Sequence, residues 1–165
     1  MSRSLNSSVT LKLISGASPP STSVPGYVAT LESVFGVGAS ELKSMADVST
    51  ASMAAVPSPV GAYTLTVIDG DATFTAAQPL RGTGIVIVLG SCTIQSGSNS
   101  WVSGLLWVQG ALTVRAPCYL RGTLIAGGTV DVRGTGGDTA EVEHDAQILN
   151  NLLFLMGQYR HSKAV

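Results

Sequence analysis

The sequence predicts an all-β fold with flanking helices: a short, right-handed β-solenoid of about four coils, capped or covered by N- and C-terminal helical segments. Three observations predict it. One phrase occurs four times, at Ile68-Asp69-Gly70-Asp71-Ala72-Thr73-Phe74, Val88-Leu89-Gly90-Ser91-Cys92-Thr93-Ile94, Val108-Gln109-Gly110-Ala111-Leu112-Thr113-Val114 and Ala126-Gly127-Gly128-Thr129-Val130-Asp131-Val132, with Gly70, Gly90, Gly110 and Gly128 spaced by 20, 20 and 18 residues. After each glycine, apolar residues alternate with Thr, Ser, Asp, Gln or Arg, the period-two signature of a strand with one face inward. Before each glycine, Leu65–Ile68, Ile85–Leu89, Leu105–Val108 and Leu124–Ala126 are apolar at nearly every position, as in strands buried on both faces. Stacked coils bury one another, so none is stable alone.

Along the chain, residues 1–26 read as a strand or arm, Val9-Thr10-Leu11-Lys12-Leu13-Ile14, followed by a Ser/Pro/Gly linker with Pro19, Pro20 and Pro25. Residues 27–60 carry apolar positions at helical spacing, broken by Gly36-Val37-Gly38. This predicts two short helices, the second capped by Ser40, packed on the solenoid. Residues 61–145 form the solenoid, with Arg81-Gly82, Ser103-Gly104 and Arg121-Gly122 at its corners and a two-residue insertion in the second coil near Ser96-Gly97-Ser98-Asn99. Residues 146–165 form a C-terminal helix and tail, the helix over 146–159 being strongly apolar through Ile148, Leu149, Leu152, Leu153, Leu155 and Met156.

Composition narrows the function classes. The chain has 165 residues, 45% hydrophobic, 12% charged, 19 glycines and a net charge of −1, which suits one β-rich domain with an uncharged polar surface. Nothing in that charge attracts nucleic acid or an anionic membrane. No apolar run reaches the ~18 residues of a membrane span, and the N-terminus lacks the basic-then-apolar layout of a signal peptide. Cys92 sits at an inward repeat position and Cys118 elsewhere in the next coil, so both are read as free, buried thiols.

Several stretches together resemble the C-terminal β-solenoid region of PilX-like pilus-assembly proteins, a bacterial family of type IV pili and cell-surface structures. The resemblance covers about Ser40 to Leu153. It runs through Glu41-Leu42-Lys43-Ser44-Met45-Ala46, Val67-Ile68-Asp69-Gly70-Asp71, Gly82-Thr83-Gly84-Ile85-Val86-Ile87-Val88 and Trp101-Val102-Ser103-Gly104-Leu105-Leu106-Trp107-Val108, then Leu120-Arg121-Gly122-Thr123-Leu124-Ile125-Ala126-Gly127 and Val142-Glu143-His144-Asp145. The family's membrane-spanning helix has no counterpart in these residues. The resemblance implies a non-catalytic structural or assembly role, extracellular or at the cell surface, through protein partners or self-association. It implies no catalytic residue.

Chemistry elsewhere is sparse. Glu141, Glu143 and Asp145 share one face of a strand and could hold a hard cation, although acids on an edge strand also deter edge pairing. Asp71 and Asp131, two coils or more apart, are the outward pair to weigh for a carbohydrate-active β-helix. Neither Gly82-Thr83-Gly84 nor Gly134-Thr135-Gly136-Gly137 is followed by the Lys-Ser/Thr of a phosphate loop. No catalytic, metal or cofactor site is expected. The surface expected to act is apolar: Val67, Ile87, Trp107 and Ile125 form an outer stripe, and Trp101 and Trp107 flank Val102-Ser103-Gly104-Leu105-Leu106. That stripe is either covered by this chain's own helices or is a binding face. A bactofilin-like scaffold polymerising end to end is the alternative, favoured only if the solenoid ends are open.

Overall fold

A computed structural model of the chain describes residues 10–13, 30–134 and 137–162. Strand β1 (Thr10–Leu13) is followed by α1 (Leu31–Phe35), α2 (Ala39–Met45), β2 (Val48–Thr50) and a 3-10 turn at Met53–Ala55. Each repeat then contributes a long strand and a short one. These are β3 (Val60–Ile68) with β4 (Ala72–Phe74), β5 (Arg81–Val88) with β6 (Cys92–Ile94), β7 (Ser100–Val108) with β8 (Leu112–Arg115), and β9 (Cys118–Ala126) with β10 (Val130–Arg133). A further strand, β11 (Ala140–His144), opens a fifth coil and leads into α3 (Ala146–Ser162), so the solenoid exceeds the four coils expected.

Long strands form one sheet in the order β1-β11-β9-β7-β5-β3-β2 and short strands the other, β10-β8-β6-β4. All pairs are parallel except β1 with β11. The repeat glycines stack because adjacent coils touch there. Gly110 N–H donates to Gly90 O at 2.9 Å and Gly128 N–H to Gly110 O at 3.0 Å. A Cβ on Gly110 would lie 2.6 Å from Ser91 Oγ, and one on Gly128 2.8 Å from the Ala111 nitrogen. Gly70, in the first coil, has open space instead and a φ of 119°, so its requirement is conformational. The neighbouring side chain completes the turn: Asp71 Oδ1 accepts from Ser91 N–H at 2.7 Å, and Ser91 Oγ from Ala111 N–H at 3.3 Å.

The register corrects two expectations. Gly82 pairs with Val102 and Gly104 with Gly122, all inside long strands, so Gly82 is not the equivalent of the other two. Ile94 pairs with Val114 but Ser100 with Cys118, which makes the third coil two residues short; the first and second are of equal length and no insertion exists in the second.

Parity divides the apolar residues into two cores. The inward set, including Ile68, Phe74, Val88, Ile94, Val108 and Leu112, fills the solenoid. The outward set, Leu65, Val67, Ile85, Ile87, Leu105 and Trp107, is covered by Leu31, Leu42 and Met156, with Phe35, Leu149 and Ile125 packed at its margin. All three helices therefore lie along the stripe. Helix α1 begins with a capping box between Thr30 and Ser33, and α2 follows Gly38 with no side-chain cap, so Ser40 is inside the helix rather than its cap. Met53 and Val56 close the N-terminal end of the inner core. Gln78 Nε2 donates to the carbonyls of Met53 and Val56, and Ser58 Oγ to that of Pro79. Among the described residues no helix is long and apolar enough to cross a membrane. The Ser/Pro/Gly linker of the N-terminal arm lies outside the described residues.

Candidate functional site

In the first half of each long strand the outward residues are not under the helices, and strand pairing sets them in columns. Arg81, Trp101, Tyr119 and Glu141 occupy successive coils of one column, with Lys12 of β1 next in register. Ser103, Arg121 and Glu143 form the column beside it. Trp101 is 43% exposed and Tyr119 38%. Tyr63, with a φ of 58°, stands exposed in a bulge of β3 between its Val60–Gly82 and Thr64–Gly84 pairs. A β-bulge is a frequent device for re-aiming a side chain at a working surface.

The polar groups of this face bind one another. Tyr119 Oη donates to Glu143 Oε2 at 2.7 Å, and the same oxygen lies 3.5 Å from Arg121 Nε. That bond, with the negative charge beside it, raises the Tyr119 phenol above its ordinary pKa. Arg121 also meets Asp145 Oδ2 at 3.1 Å. Asp145 caps α3 by accepting from the N–H groups of Gln147 and Ile148 at 2.9 and 3.3 Å. The acidic cluster thus has a cation already, the Arg121 guanidinium. No group of three or more metal-ligating side chains occurs among the described residues. The strand carrying it is not an edge, since β1 pairs on its free side.

Elsewhere the expected surface is used up internally. Val67, Ile87 and Trp107 are buried under the helices and Ile125 is partly buried, so the stripe is not a binding face; Trp101 alone of those five residues remains available. Asp71 caps a turn, and Asp131 is held by Arg115 and Arg133, each at 2.8 Å. Those two bonds hold the Asp131 carboxyl below its ordinary pKa. The two carboxylates lie in different columns, since Asp131 pairs with Thr113 while Asp71 precedes β4, and they form no acid pair. Cys92 and Cys118 are free and buried, and burial pushes both thiols up to about 12, each other's charge adding for Cys92.

Sequence reading singled out Trp101, the corner residue Arg81 and the acidic Glu141 separately, but not Tyr119 or Tyr63, and did not join Arg81, Trp101, Tyr119 and Glu141 into one column. The usable signal was parity carried back past the glycine of each long strand, where odd positions such as Arg81, Trp101 and Tyr119 need the correct coil alignment to be seen as a column. Comparison with models of known families, with curated proteins and with solved structures finds no match to this chain.

Proposed function

We propose that this chain is a non-enzymatic structural or assembly component of a bacterial cell-surface appendage of the type IV pilus kind, working through protein–protein contacts of the Trp101 face. The observation that carries the reading is the exposed Trp101–Tyr119 pair on a rigid sheet, with Arg81 and Arg121 beside it, because Trp, Tyr and Arg supply most of the energy of protein interfaces. Glu143 and Asp145 are occupied in holding Arg121 and Tyr119, which suits a surface that keeps its shape better than one that moves protons. The resemblance to PilX-like proteins supplies the appendage. End-to-end polymerisation is disfavoured by the turn at Met53–Ala55, which covers one end of the inner core.

Deleting the gene in its own bacterium and imaging the cell surface by electron microscopy tests the reading. Appendages should be lost or shortened, restored by the wild-type chain and not by a folded W101A/Y119A variant. Unchanged appendages in the deletion strain, or full rescue by that variant, would overturn it.

A further inference from the structure

We propose that the Trp101 face pairs with the same face of a second copy of this chain about a two-fold axis. This rests on the reading of that face as a contact surface and names its partner. The column Arg81–Trp101–Tyr119–Glu141 crosses four adjacent coils in strict register, one residue per strand. Strands are ~4.8 Å apart, so the steps from Arg81 to Trp101 and from Tyr119 to Glu141 are equal. A two-fold axis lying between β7 and β9, parallel to the strands and in the plane of contact, reverses the column. It sets Arg81 of each copy against Glu141 of the other and Trp101 against Tyr119. The column has a cation at one end, a carboxylate at the other and aromatics between, which is the arrangement an isologous interface requires: an aromatic centre and a charged, self-complementary rim.

Both terminal charges are available for it. Arg81 donates its Nε to Asn99 O at 3.1 Å and makes no ion pair among the described residues. The Glu141 carboxylate is in no ion pair among the described residues, and Lys12 is its neighbour in register on the side away from Tyr119. Under the same axis the Lys12 position falls one strand beyond the partner's Arg81 rather than opposite it. Four strands span roughly 15–20 Å, less than a standard interface needs on each side. The pairing is therefore reversible and dependent on concentration.

Sedimentation velocity and light scattering on the purified chain, from about 1 to 200 µM, test this. A concentration-dependent shift from 16.8 kDa towards twice that mass is expected. W101A and R81E should each weaken the dimer at least about tenfold, and R81E/E141R should regain it, a rescue that general destabilisation does not give. F154S, on the exposed side of α3, should leave it unchanged. A monomer at every concentration, open-ended filaments, or a dimer lost with F154S and kept with W101A overturns the pairing. A monomer whose W101A/Y119A variant still fails to restore appendages would sink the self-pairing and leave the contact reading standing. A Trp101-dependent dimer whose double variant rescues fully would do the reverse.

Discussion

Trp107 and Trp101 lie six residues apart on one strand and on the same outward side, yet they have opposite fates. Trp107 is 1% exposed, in edge contact with the Phe35 ring 6.4 Å away, whereas Trp101 stands in the open. What separates them is the helix above, since nothing in either residue's own chemistry does. The Trp107 indole N–H finds no acceptor among the described residues, so its worth lies in packed volume alone. Trp107→Ala is expected to cost about 3–5 kcal/mol in urea unfolding, and Trp107→Phe much less, because Phe keeps most of the apolar contact and removes the unpaired donor. A loss from Trp107→Phe as large as from Trp107→Ala would contradict this.

Helix α3 is the element whose role is most visible in its sides. Leu149 and Met156 face the stripe and Leu152 is buried, while Leu153 and Phe154 face outward, Phe154 65% exposed. Lacking a charged residue from Ala146 to Tyr159, the helix owes its place to the stripe and to the Asp145 cap rather than to ion pairs along its length. Leu152→Ala is expected to lower stability by about 2–5 kcal/mol. It should also shift Trp107 emission to the red at denaturant concentrations where the β signal in circular dichroism is intact, α3 leaving before the solenoid melts. Simultaneous loss of both signals would mean helix and solenoid form one cooperative unit.

Across the whole molecule, stability is a matter of neighbouring coils, because each rung's apolar side chains are covered by the rungs on either side. Cys92 in β6 and Cys118 in β9 report on that cooperation from inside the solenoid. With both thiols pushed up to about 12 and buried, neither should react with a thiol reagent at pH 8 in the native chain. Both should react together, at the rate of global opening, as denaturant is raised. Rapid labelling of one thiol alone in native buffer would show that its coil opens independently of the rest.

The solenoid was legible in the sequence because its causes are local and repeated. Glycine where coils touch and period-two alternation behind it recur four times, and even the outer stripe and its need for a cover followed from Val67, Ile87 and Trp107. The alignment of the long strands was not legible, since Gly82 looks like Gly104 in sequence while hydrogen bonding pairs it with Val102. Nor was the capping of the acidic strand by β1, which comes from more than a hundred residues away. Periodicity determines which side chains turn outward; only tertiary structure decides which of those are then covered. Burying the apolar stripe under three helices left Trp101 and Tyr119 as exposed aromatics on the same sheet.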